Sequence, residues 1–152
     1  MRTRISLAIL VLVPALALQA RASNLDEKMV DQGSIDALQA RILQAQPREQ
    51  CFLYAELMHQ MTEFSLRQYS AGNVDKASDL LKQIQQIAHQ VHLSVGDDNK
   101  RLKNAEILLR HTAFRLTEML HSSSFEDRPL VEETLAKVNQ AESEAMLQVF
   151  RK

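Results

Sequence analysis

From Val74 onward the apolar residues of this chain recur at spacings of three and four, and that rhythm fixes most of what it can fold into. Val74, Ala77, Leu81, Ile84, Ala88, Val91 and Val95 form one seam, widened by Leu80 and Ile87. Leu102, Ala105, Leu109, Thr112, Leu116 and Met119 form a second, and Val131, Leu135, Val138, Ala145 and Val149 a third. Such spacing matches the turn of an α-helix, so each seam occupies one face that another helix must cover. Only three Gly and three Pro occur in 152 residues, and four of them, Pro47, Gly72, Gly96 and Pro129, mark where helices start or stop. Pro47 suits a helix start, where its missing N–H costs nothing. Gly72 and Gly96 suit helix ends, with Asn73, Asp75, Asp97 and Asp98 as caps for the next helices. Ser122–Ser124 close the next stretch, and Asp127 with Pro129 opens the last.

This punctuation predicts helices over 47–71, 74–95, 98–121 and 129–150, each roughly 33–38 Å long at 1.5 Å per residue. The expected fold class is all-α: an up-down antiparallel bundle of four long helices over 47–152, with an N-terminal helical arm at 23–46. The short breaks at Gly72–Asn73 and Gly96–Asp98 suggest that each joins two neighbouring antiparallel helices. The helix from 47 differs from the others. Leu53, Leu57, Met61 and Phe64 line one side, while Phe52, Ala55, Leu66, Cys51 and Tyr69 spread over much of the opposite one. A helix apolar on two sides is contacted on two sides. The arm, with Ile35, Leu38, Ile42 and Ala45 behind a Ser34 cap, is the expected second cover.

Residues 1–22 read as an export signal. Arg2 and Arg4 precede an apolar run from Ile5 to Leu18, and Ala20 and Ala22 stand at the −3 and −1 positions of a cleavage site. The run is short for a bilayer span, which takes about 20 apolar residues, so no membrane span is expected after cleavage. Three of the 18 basic residues lie in this leader, which contains no acid; the remaining 15 against 19 acidic residues give the mature chain a charge of −4. That balance offers nucleic acid no clustered basic face. Cys51, the single cysteine, has no internal partner in an oxidising compartment and reads as a buried small hydrophobe.

Candidate chemistry is sparse. Glu56-Leu-Met-His59 and Glu118-Met-Leu-His121 have the Glu-x-x-His spacing that resembles the metal-gripping tetrads of ferritin-like bundles. That resemblance implies further Glu ligands from other helices, yet 74–95 contains none, and both tetrads lie off the apolar seams. No metal site is therefore expected. His89 and His92 are the candidates for a haem or metal ligand, with Met58, Met61, Met119 and Met146 as available thioethers. No Gly-rich phosphate loop, Gly-x-Ser-x-Gly elbow, His-Glu-x-x-His or Cys-x-x-Cys-His occurs. Ala71–Ala77 resembles the turn of a tetratricopeptide hairpin, although Ile84 stands where that repeat carries Ala and the chain holds no second copy. Leu116-Thr-Glu-Met-Leu120 resembles the Leu-Thr-x-x-Gln motif of exported helical chaperones but lacks the Gln.

One apolar pair breaks the pattern. Ile107 and Phe114 lie nearly opposite the seam of their helix, with His111 between them, as if met by the arm or a wide core, or by a partner or second copy. The function expected from all this is an exported, non-enzymatic protein-interaction module of the cell envelope, without cofactor. Its partner would be another protein or a second copy. The alternative is a haem- or metal-binding periplasmic bundle using His89 or His92. N-terminal sequencing of the exported protein should begin at Ser23; a start at Met1 would refute the leader assignment.

Overall fold

A computed structural model describes residues 29–93 and 99–150, with backbone only at 92, 93 and 99. The leader and Gly96 with its neighbours lie outside the described residues. Five helices account for nearly all of the rest: α1 (Gln32–Gln44), α2 (Pro47–Ser70), α3 (Val74–Leu93), α4 (Asn99–Ser122) and α5 (Arg128–Val149). The arm is helical, but its cap is Asp31 rather than Ser34. The Asp31 carboxylate accepts from the Ser34 amide at 2.7 Å, and the Asp31 amide donates back to the Ser34 hydroxyl at 3.0 Å. Ser34 is thus the third helical residue of a capping box, the position from which a side chain reaches back to the cap.

The end of α2 is closed by Gly72, the described glycine with positive φ (+83°). From there the Asn73 amide donates to the Gln68 carbonyl at 2.8 Å and the Gly72 amide to that of Tyr69 at 3.0 Å. This pair of bonds is the Schellman arrangement, which satisfies carbonyls that the helix itself leaves open. The turn sends α3 back along α2, and α4 and α5 form a second antiparallel hairpin.

The four long helices alternate in direction as expected, but the sequence misplaces one neighbour. Among the described residues α3 makes no contact with α4; α2 packs beside α3 and α4, α5 beside the same two, and α1 on α2. Cross-links show the directions. Glu49–Arg101, His59–Thr112 and Glu63–Arg115 join α2 to α4 in parallel register, and Gln85–Thr134 joins α3 to α5. Two hairpins therefore lie side by side, first helix against first helix and second against second, with α3 and α4 on a diagonal. The short Gly96 connection does not forbid this. Six peptide units between Leu93 and Asn99 reach roughly 20 Å when extended, and neighbouring axes 8–10 Å apart put diagonal ones only about 11–14 Å apart.

The interior is built from the expected seams. Leu81, Ile84 and Val91 of α3, Leu109, Leu116 and Met119 of α4, and Val131 and Val138 of α5 are fully buried. Helix α2 adds Leu53, Met58 and Met61, and Ile35, Leu38 and Ile42 of α1 close over it. At one end Tyr69 ties the hairpins together. Its hydroxyl donates to the Asp127 carboxylate at 2.9 Å and accepts the Ser124 amide at 2.8 Å, while the Ser124 hydroxyl reaches the same carboxylate at 2.6 Å.

Around Gly72 an added Cβ would meet nothing within 4 Å, so any cost of substitution there is conformational rather than steric. Gly72→Val should lower the unfolding free energy by about 1–2 kcal/mol, and Gly72→Asn by clearly less, since Asn tolerates the left-handed region. Denaturant melts of the two variants compare them directly; equal midpoints would contradict the assignment.

Candidate functional site

Helix α4 carries both polar and apolar features that the rest of the bundle does not absorb. Its 24 residues span about 36 Å. One flank meets α2, the other meets α5, and the side opposite the core faces solvent. Ile107 and Phe114 stand on that outer side, seven residues apart and so on one stripe; they are 45% and 63% exposed. His111 lies between them and is also exposed. Of the covers expected for this pair, a wide core is excluded by that exposure and the arm by its position: α1 packs on α2 alone among the described helices. The stripe is left bare because the arm spends its apolar face on the second apolar side of α2.

Beneath one edge of the stripe lies a polar cluster that sequence reasoning did not assemble. Arg115 of α4 makes a two-point contact with Glu63 of α2, Nε to Oε1 at 2.6 Å and Nη2 to Oε2 at 3.1 Å, and also binds Glu118 one turn along its own helix. Planar fork-to-carboxylate pairing of this kind fixes orientation as well as charge. Alongside it, His59 Nδ1 sits 3.3 Å from Thr112 Oγ1. The Thr112 hydroxyl also donates to the Leu108 carbonyl at 2.8 Å, an arrangement in which its oxygen can accept from an Nδ1–H of the imidazole. Burial pushes the His59 imidazole below its ordinary value; Glu63 opposes this, while His111 and Arg115 reinforce it.

The Glu56/His59 tetrad is thus not a plain surface pair. His59 turns into the α2–α4 seam, whereas Glu56 lines the shallow groove beside α1 with Gln60 and Arg41. The second tetrad, Glu118 and His121, stays exposed. With α2 and α4 in the parallel register of Glu63–Arg115, Glu118 stands level with residue 66, ten residues beyond Glu56 and about 15 Å along the axis. The tetrads do not converge. On the other flank of α4, Glu106 is buried against Glu142 of α5, and Arg110 binds both. Burial, then the hydrogen bond and repulsion from Glu106, push the Glu142 carboxyl above its ordinary value, with Arg110 opposing.

The remaining candidates are scattered. His89 is exposed and, with Gln85, Lys137, Gln140 and Glu144, lines a polar cleft of about 300 Å³ between α3 and α5. The side chain of His92 lies outside the described residues. Among the described residues no three His, Cys, Asp or Glu side chains are grouped to hold a metal, and no helix is long and apolar enough to cross a membrane. Cys51 is buried, as expected, and burial pushes its thiol up to about 11, far from the thiolate a nucleophile needs. Comparison with protein families, with curated proteins and with solved structures finds no match.

What sequence reasoning missed was the α2–α4 seam. Glu63, His59 and Arg115 look like ordinary polar positions until the two helices are placed in parallel contact, and their spacing along one chain carries no sign of it. The lowered imidazole value makes a pH prediction. His59 binds its proton more weakly folded than unfolded, so stability is lost as pH falls through the ordinary histidine value of 6.5, and the loss is complete below the folded value. Replacing His59 by Asn, whose amide can still donate to Thr112, should flatten this part of the stability–pH curve; an unchanged slope between wild type and variant would refute the assignment.

Proposed function

We propose that this chain is an exported, non-enzymatic helical-bundle module of the cell envelope that docks another protein molecule on the outer face of α4. The exposure of Phe114, in one stripe with Ile107, carries this reading. Helical seams place apolar side chains where a neighbour covers them; the other large apolar side chains exposed on described helices, Leu43, Met146 and Leu147, stand near helix ends, whereas Ile107 and Phe114 stand mid-helix. Large aromatic side chains standing in water on an ordered helix are the usual anchors of protein contacts. The polar pairs on both flanks, Glu63–Arg115 and Glu106–Arg110–Glu142, hold α4 in place and present the stripe on a rigid scaffold. Rigid presentation lowers the ordering cost of binding. The leader sequence at 1–22 supports export, and the raised thiol of Cys51 supports a role without nucleophilic chemistry.

A photo-reactive residue placed at position 114 in the producing cells tests the reading. It should yield a discrete cross-linked species, while the same residue at Lys82 on the exposed face of α3 should not. Equal yields at both positions, or none at 114, would sink the proposal.

A further inference from the structure

The outer face of α4 carries apolar residues at one mirrored pair of positions and opposite charges at the next. About a point between Arg110 and His111, Ile107 and Phe114 are symmetrically placed, and so are Lys103 and Glu118, four residues beyond each. All six positions belong to the solvent side or its edges: Lys103, Ile107, Arg110, His111, Phe114 and Glu118 are exposed. We infer that the occupant of this face is a second copy of the chain, with the two α4 helices packed antiparallel across a two-fold axis between Arg110 and His111. This rests on the docking role of α4 proposed above and names its partner.

Antiparallel pairing sets Ile107 of one copy against Phe114 of the other, twice, and closes the two apolar pairs on each other. It also sets each Lys103 opposite a Glu118 of the other copy, a carboxylate that already pairs with Arg115 of its own helix and is still exposed. A parallel pairing would put Lys103 on Lys103 and Glu118 on Glu118, so charge selects the antiparallel form. The contact is isologous, each copy giving and receiving the same surface, and therefore closes as a dimer. At the axis, Arg110 of one copy meets His111 of the other. Its charge is already answered within its own chain by Glu106 and Glu142, so the centre does not repel. A contact confined to one helix pair falls in the small, transient class of interfaces, below about 1,200 Å², so the dimer is expected to dissociate on dilution.

Sedimentation equilibrium of the purified protein over a wide concentration range tests this. A monomer–dimer equilibrium should appear, lost in Phe114→Asp, which remains folded because the side chain is exposed; a circular dichroism melt checks the fold. Lys103→Glu alone and Glu118→Lys alone should each weaken self-association about tenfold, because two attractive pairs become repulsive. Mixed together, those two variants should regain wild-type affinity, since every cross-chain pair in the mixed dimer is then opposite in sign. A bismaleimide should link His111→Cys chains to one another but not Lys82→Cys chains.

A protein that stays monomeric at several hundred micromolar, or a dimer indifferent to both charge swaps, overturns the dimer. If the protein is monomeric and position 114 still cross-links to a protein of different mass, the dimer falls while the docking role stands. If nothing cross-links at 114, the docking role falls with it.

Discussion

Helix α2 touches α1, α3 and α4, and the rest of the structure is arranged around meeting that demand. Leu53, Leu57, Met61 and Phe64 need cover on one side of α2, and Cys51 and Ala55 on the opposite one, and all six are buried. A helix so nearly apolar around its circumference cannot sit at the rim of a bundle with one side in water. Its burial recruits the arm, and that has a consequence on the far side of the molecule. The arm has one apolar face, formed by Ile35, Leu38 and Ile42; once this lies on α2, nothing of α1 remains to cover α4. The bare stripe of Ile107 and Phe114 and the enclosed position of α2 are two sides of one allocation.

Burial supplies the driving force, but polar pairs choose the register. Seams of Leu, Val and Ala are similar along their length, and a helix could slide by one turn with modest loss. Glu63–Arg115 and Gln85–Thr134 have no such freedom, because a shift of one turn would leave a half-buried carboxylate and a buried hydroxyl in poorer company. The Tyr69–Asp127–Ser124 cluster does the same at the end of the bundle, fastening the tip of one hairpin to the turn of the other. Thr112, a polar residue within an otherwise apolar seam, is explained in this way too: its hydroxyl serves its own helix and receives the His59 imidazole.

Much of this was legible in the sequence, for reasons that can be named. Local rules placed the helices: Gly72 sits at positive φ at the end of α2, Pro47 begins that helix, and the described seam residues of α3, α4 and α5 are buried except for the half-buried Val74, Ile87, Leu135 and Val149. The two-sided pattern of α2 foretold the arm. Neighbour choice was not legible, because a short connection limits distance without selecting between a side and a diagonal, and the apolar seams are nearly interchangeable as partners. The same ignorance hid the polar cluster, since Glu63 and Arg115 are 52 residues apart and acquire meaning only when α2 and α4 touch. Ile107 and Phe114 were visible as exceptions on their own helix, but which side of the bundle would be left uncovered depended on where α1 went.

The diagonal placement of α3 and α4 also divides the chain into parts of unlike kind. Within each hairpin, contacts join residues near in sequence, so each pair can form early and without closing a large loop. Between hairpins every contact is long-range, and the polypeptide crosses that boundary once, between Leu93 and Asn99. A boundary crossed once is a place where two molecules can trade halves: the first hairpin of one chain can rest on the second hairpin of another and bury the same seams. Such an exchange would bury the interior seams between two chains and would leave the outer face of α4 untouched.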